Sequence, residues 1–251
     1  MSELWSVGAC EELAGALEPA QDELIERLAP APGESWLDVA TGTGEIALRA
    51  AAAGARVTAI DVVPPLVEQA RRAAEQAGLE IKFDVGDVEY LPYENACFDV
   101  VASSFGLIFA PDHANVAAEL ARVSCSGARL GFTAWRPDPK LGRLYRGFSE
   151  EPIDGREAYE WGREDHVESM LGDDFDLEFV DGTLWFEAES PEAVWELFST
   201  SAPPVVTLLG RLGEDRREEF HSAFVEHYEG YLRNGRVHAP RRYLLVLGSR
   251  H

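Results

Sequence analysis

The sequence predicts an α/β protein built on a doubly wound, mostly parallel sheet. Three observations predict it. Short apolar runs of strand length alternate with helical stretches of ten or more residues, a rhythm that calls for a parallel sheet covered on both faces. The first run, Trp36-Leu-Asp-Val-Ala40, breaks into Thr41-Gly-Thr-Gly44 and resumes as a helix. Acidic residues mark the ends of three successive runs, at Asp38, Asp61 and Asp87, on the edge where such sheets bind ligands.

Taken in order, Glu11 to Leu28 carries apolar residues at helical spacing, interrupted near Pro19, and reads as one or two amphipathic helices. Pro30-Ala-Pro-Gly33 ends them. Trp36–Ala40 is the first strand and Gly44 to Ala53 the first crossover helix. Arg56–Asp61 is the second strand, followed by a helix over Pro65 to Ala77 with proline suited to its first turn. Leu79–Asp87 and Cys97–Phe105 are the third and fourth strands, Pro111 to Val123 a helix, and Ala128–Trp135 the fifth strand.

Beyond Trp135 the pattern loosens, and residues 136–161 show no sustained period. Arg163–Leu171 is a short helix, and Phe175–Glu189 reads as strand, turn and strand around Asp181-Gly182. Ser190 caps a helix with Pro191 in its first position. A longer helix covers about Asp215 to Arg233, and Arg241–Ser249 is a final strand. The chain thus divides into a helical cap (1–35), an α/β core (36–135), a divergent region (136–240) and a last strand (241–251).

Composition narrows the function classes. At 251 residues and 46% hydrophobic, the chain can bury a full core. It has no apolar run of about 18 residues, and acidic residues near its start oppose a signal peptide, so a cytoplasmic protein is expected. Cys10, Cys97 and Cys125 form no C-x-x-C and no H-E-x-x-H occurs, so neither disulfides nor a metal site is expected. The net charge of -23, with two lysines against twenty arginines, repels phosphate backbones and anionic lipids. Nucleic acid and membrane are therefore excluded as expected partners, leaving a small molecule and a monomer or homodimer.

Gly42-Thr-Gly44-Glu-Ile-Ala47 matches the G-x-G-x-x-G/A of a nicotinamide-binding loop, and Asp61 lies seventeen positions after Gly44, placed to accept ribose hydroxyls. A pyrophosphate ligand leaves Asp38 and Asp87 unexplained, because it favours the positive end of a helix. A cationic adenosyl ligand suits all three carboxylates.

Leu37-Asp-Val-Ala-Thr-Gly-Thr-Gly44, Ala59-Ile-Asp61, Gly86-Asp-Val-Glu-Tyr-Leu-Pro92, Phe98–Asp112 and Ala128–Trp135 occur in an order and spacing that resembles the class I S-adenosylmethionine-dependent methyltransferases. The branch it resembles most is the ubiquinone/menaquinone C-methyltransferases. The resemblance covers about Trp36 to Trp135. It implies a Rossmann-like, seven-stranded sheet whose last strand is antiparallel, with residues 136–240 binding the methyl acceptor. It also implies that Asp38, Ala40, Gly42 and Gly44 hold the methionine end of S-adenosylmethionine. Asp61 would take the ribose and Val62 pack on adenine, Asp87 and Val88 would bond the adenine edge, and Ser104 would contact the methionine portion. Two positions depart from the pattern. Ala40 replaces a glycine, which is tolerable at negative φ, and Ser126-Gly127-Ala128 replaces a Pro-Gly-Gly turn, where Gly127 can still take a positive φ.

The sulfonium is already an activated methyl donor, so positioning is the enzyme's main task. His113, opening the helix after the fourth strand, is the candidate base, ahead of His166. Trp135, Phe109 and Tyr145 are candidates to line the acceptor pocket, with Phe105 beside them and Trp5 as part of an N-terminal lid. The expected activity is methyl transfer to oxygen, carbon or nitrogen of a specialised metabolite or quinone-like compound. Competing readings are a catalytically silent cofactor-binding sensor and a nicotinamide-dependent reductase.

Overall fold

The computed structural model describes residues 10–149 and 157–251. Its frame is one mixed sheet with strands β1 (Ser35–Val39), β2 (Arg56–Asp61), β3 (Ile81–Val85), β4 (Phe98–Ser104), β5 (Ser124–Trp135), β6 (Phe175–Ala188), β7 (Leu232–Arg233) and β8 (Arg236–Arg250). They lie in the order β3-β2-β1-β4-β5-β8-β6, with β7 paired to β8 outside that path. Strands β1 to β5 pair in parallel, and β8 runs antiparallel to both β5 and β6. Apart from the two-residue β7, this is the expected seven-stranded sheet with its last strand reversed.

Among the described residues the helices are α1 (Cys10–Leu28), α2 (Glu45–Ala52), α3 (Pro64–Ala77), α4 (His113–Val123), α5 (Pro139–Phe148), α6 (Glu164–Leu171), α7 (Pro191–Ser201), α8 (Pro203–Arg211) and α9 (Glu214–Glu229). Strand alternation sorts side chains onto two faces. Leu37, Val39 and Val101 pack under α4 and α6 with Val116, Leu120 and Val167. Trp36, Val100 and Ala102 pack under α1, α2 and α3 with Leu24, Ile46 and Val67. Helix α1 runs unbroken through Pro19. An interior proline costs about 3 kcal/mol, whereas Leu24 and Leu28, at 0% and 1% exposure, contribute roughly 1.5–3 kcal/mol each on burial. Packing on the sheet wins over local propensity.

A third apolar layer joins α5, α7, α8 and α9 to the first half of β8, through Leu141, Tyr145, Val194, Phe198, Phe220, Phe224, Val237 and Ala239. Four features here differ from the sequence expectation. Helices α5 and α8 were not expected; Asp138 caps the first, accepting from the N–H groups of Lys140 and Leu141. The expected turn at Asp181-Gly182 is absent, and β6 is one continuous strand. Gly182 is there for close approach, since a Cβ would stand 2.0 Å from the Tyr243 ring on β8. Helix α9 stops at Glu229, because Asn234 and Gly235, with φ of 51° and 82°, turn β7 into β8 as a tight hairpin. Strand β8 accordingly begins at Arg236, upstream of the expected final strand.

Candidate active site

The sheet order sets the carboxyl ends of β3, β2, β1 and β4 side by side. From this edge emerge Asp87 after β3, Asp61 at the end of β2, the loop Ala40–Gly44 after β1 and Ser104 at the end of β4. Strands placed far apart in sequence thus bring the candidate cofactor residues to one rim.

The loop is pinned at several points. Thr41 N–H donates to the Ile60 carbonyl at 3.0 Å, and Gly44 N–H to the Thr41 carbonyl at 2.9 Å. Gly42 and Gly44 take φ of 55° and 92°, which only glycine adopts freely. Ala40 also has a positive φ, 52°, so the expectation of negative φ there is incorrect. Gly106 makes room for Ala40, since a Cβ on Gly106 would lie 2.6 Å from the Ala40 Cβ. At the second departure Gly127 takes φ 76°, as expected.

Asp61 is 7% exposed. Its Oδ2 accepts from Gly42 N–H at 2.8 Å and its Oδ1 from Val63 N–H at 2.9 Å. Burial pushes its pKa up, against the pull of those hydrogen bonds. Beside it Val62 is 47% exposed, an apolar surface open at the rim. Asp38 behaves differently. It is 1% exposed, and its Oδ2 accepts from Thr41 Oγ1 at 2.5 Å and from Ala47 N–H at 3.1 Å. The carboxylate thereby ties the loop to the first turn of α2. Burial, with Asp61 nearby, pushes its pKa up to about 7. Half-buried Asp87 accepts from Glu89 N–H at 3.0 Å, and the Val88 side chain is buried in the core. The buried Oδ1 of Asp38 and Oγ of Ser104 have no hydrogen-bond partner.

Aromatic residues continue the rim towards the helical layer. Phe105 follows Ser104, stacks on Trp135 at 4.1 Å between centroids and meets Tyr243 edge-on. The Arg241 guanidinium lies 5.1 Å from the Trp135 ring. Tyr145 is buried in the third layer beyond, whereas Phe109 packs against the core on the α4 face. Arg241 was missed in the sequence. The signal was its parity, because it falls on the same face of β8 as Val237, Ala239, Tyr243 and Leu245, all buried.

The two histidine candidates come together. His113 Nδ1 and His166 Nε2 are 2.8 Å apart, both against the ring of buried Trp161. Burial, then His166, lowers the His113 pKa, and its Nε2 is buried without a partner. Trp5 lies outside the described residues. Cys97 and Cys125 are free thiols. Among the described residues there is no metal-binding cluster and no helix long and apolar enough to cross a membrane.

A family model described as a methyltransferase domain matches residues 37–127. An uncharacterised protein of Mycobacterium tuberculosis is 31% identical over 246 residues, covering 92% of this chain and 88% of its own length. A demethylmenaquinone methyltransferase of Thermus thermophilus is 41% identical over 121 residues, covering 47% of this chain and 55% of its own length. Among solved structures, a geranyl diphosphate methyltransferase in complex with S-adenosylmethionine is similar with a TM-score of 0.57 at 19% identity, over 93% of this chain and 85% of that one. Residues 37–127 belong to the methyltransferase-domain family. The protein is a methyltransferase-domain enzyme.

Proposed function

We propose that this enzyme methylates a small molecule held between the cofactor rim and the layer formed by α5, α7, α8 and α9. The observation that carries this reading is the contiguous path from Ala40 through Gly106 and Phe105 to Trp135 and Arg241. It joins the cofactor loop to the divergent half of the chain.

In this reading Asp61 accepts the ribose hydroxyls through the lone pairs its two backbone donors leave free, and Val62 packs on the adenine. Asp87 and the backbone of Val88 bond the adenine edge. Gly42 and Gly44 let the backbone approach the methionine portion, and Ser104 Oγ is free to bond it. Asp38 acts on the ligand through the loop it fixes. The bound cofactor supplies a sulfonium-activated methyl group. The protein's contribution is alignment of the acceptor atom with it, for which approximation provides about 7–11 kcal/mol. Where the acceptor carries a proton at working pH, the His113–His166 pair is the candidate base. With His113 Nδ1 donating to His166, the His113 Nε2 lone pair is free.

The test is calorimetric titration with S-adenosylhomocysteine, on the wild type and Asp61→Ala. Saturable binding, weakened roughly 10–100-fold in the variant, supports the assigned site. Equal affinity in the two proteins removes Asp61 from it. Products from a panel of phenols, quinols and amines, each read as a mass gain of one methyl group, then identify the acceptor class.

A further inference from the structure

Arg241 is a largely enclosed cation without a counter-charge among the described residues. Its guanidinium lies 5.1 Å from the Trp135 centroid and 5.9 Å from that of Phe198. The phenols of Tyr159, Tyr228 and Tyr145 surround it, Tyr228 close enough to accept a hydrogen bond. Nη1 is closed to solvent and has no partner, although the side chain as a whole keeps some exposure. Elsewhere this acidic chain pairs its part-buried arginines with carboxylates, as in Arg122–Glu119 at 2.6 Å, Arg129–Glu34 at 2.8 Å and Arg136–Glu164 at 2.6 Å. With 45 acidic residues available, none among the described residues pairs with Arg241.

The surroundings do not supply the missing charge. Burial holds the Tyr145 and Tyr228 phenols above their ordinary range, so they offer hydroxyl dipoles and no anion. Asp138, the acid facing Tyr228 and His227, is engaged with two backbone N–H groups of α5. Lys140 adds to the cationic side, while burial first, and then Lys140 and Arg241, lower the His227 pKa and favour its neutral form. Aromatic faces offset only part of the penalty of burying a guanidinium. A planar cation in an aromatic enclosure, lacking only its anion, is preformed for a carboxylate, which matches its donor fork in two hydrogen bonds.

Resting on the acceptor site described above, we propose that Arg241 anchors an anionic group of the methyl acceptor, making that acceptor a ring-containing carboxylate. Trp135 and Phe198 flank the ring, and the phenols complete the hydrogen bonds of the carboxylate. The Trp135–Phe105 stack relays this anchor to the cofactor loop.

The test titrates protein saturated with S-adenosylhomocysteine with benzoate and with benzamide, its neutral near-isostere. It is run on the wild type, Arg241→Lys and Arg241→Met. Benzoate is expected to bind saturably and at least about tenfold more tightly than benzamide in the wild type. The preference shrinks in Arg241→Lys and disappears in Arg241→Met, while affinity for S-adenosylhomocysteine stays within about twofold. Equal affinity for the two probes, or no benzoate binding, overturns the anchor. So does a loss of S-adenosylhomocysteine affinity of about tenfold or more in Arg241→Met, which would give Arg241 to the methionine carboxylate. Should Arg241→Met not fold, the wild-type probe comparison and Arg241→Lys still decide. Failure of the wild type to bind S-adenosylhomocysteine would instead sink the site itself.

Discussion

Asp38 is a motif residue whose hydrogen bonds all lie within its own loop and the helix that follows it. One oxygen closes the loop through Thr41 and caps α2 through Ala47, while the other is buried without a partner. Its pKa rises from an ordinary 3.8 to about 7, so the folded chain holds this proton more tightly than the unfolded one. Its stabilising contribution is therefore complete below the unfolded value and is lost as pH rises through the folded one. Asp38→Asn keeps an acceptor for Thr41 and Ala47 and removes the titration. Between about pH 4 and pH 7 the wild type should lose roughly 2–4 kcal/mol relative to this variant, measured by urea unfolding. Parallel pH profiles would show that Asp38 does not titrate in that window. The neighbouring Ala40 illustrates a different limit. Its identity was plain in the sequence, but its left-handed φ of 52° was not, because that angle depends on the space left by Gly106.

Among the elements, β6 and β8 show how a strand can look like a turn. Asp181-Gly182 carries the composition of a hairpin, yet the glycine serves the ring of Tyr243 across the ladder. Tyr243 Oη donates to Glu23 at 2.5 Å and so links β8 to α1. Gly182→Ala should displace that ring and cost about 1–3 kcal/mol by overpacking, read as a lower urea midpoint. A midpoint equal to wild type would mean the ring has room to move. Asn234-Gly235 is the converse case. It is a true hairpin signal that helical periodicity upstream obscured. Helix α5 was not expected because the proline, glycine and charge around it have the composition of a loop, although Leu141, Leu144, Tyr145 and Phe148 keep helical spacing and pack in one layer with α9.

The whole molecule carries a net charge of -23, and its ion pairs are mostly exposed, where each contributes little. Self-repulsion should then dominate the salt response. Raising NaCl from about 0.02 M to about 0.5 M shortens the screening length from roughly 20 Å to roughly 4 Å. An increase of several degrees in Tm is expected by calorimetry. A fall in Tm would assign the larger role to pairs such as Arg129–Glu34. The same field opposes an anionic acceptor, so in the proposed site its binding rests on a local cation, Arg241.

By itself the sequence determined the α/β sheet, its reversed last strand through family resemblance, and the rim residues Asp38, Asp61, Asp87 and the glycine loop. Those features are encoded in short spacings, where a strand end and the turn after it are neighbours along the chain. Tertiary structure alone decided that His113 meets His166, that Gly182 lies within a strand, and that Arg241 joins Trp135, Tyr145 and Tyr228. Each of these depends on elements that are distant in sequence and brought together by the packing of the sheet with its helices, a term that no local pattern contains.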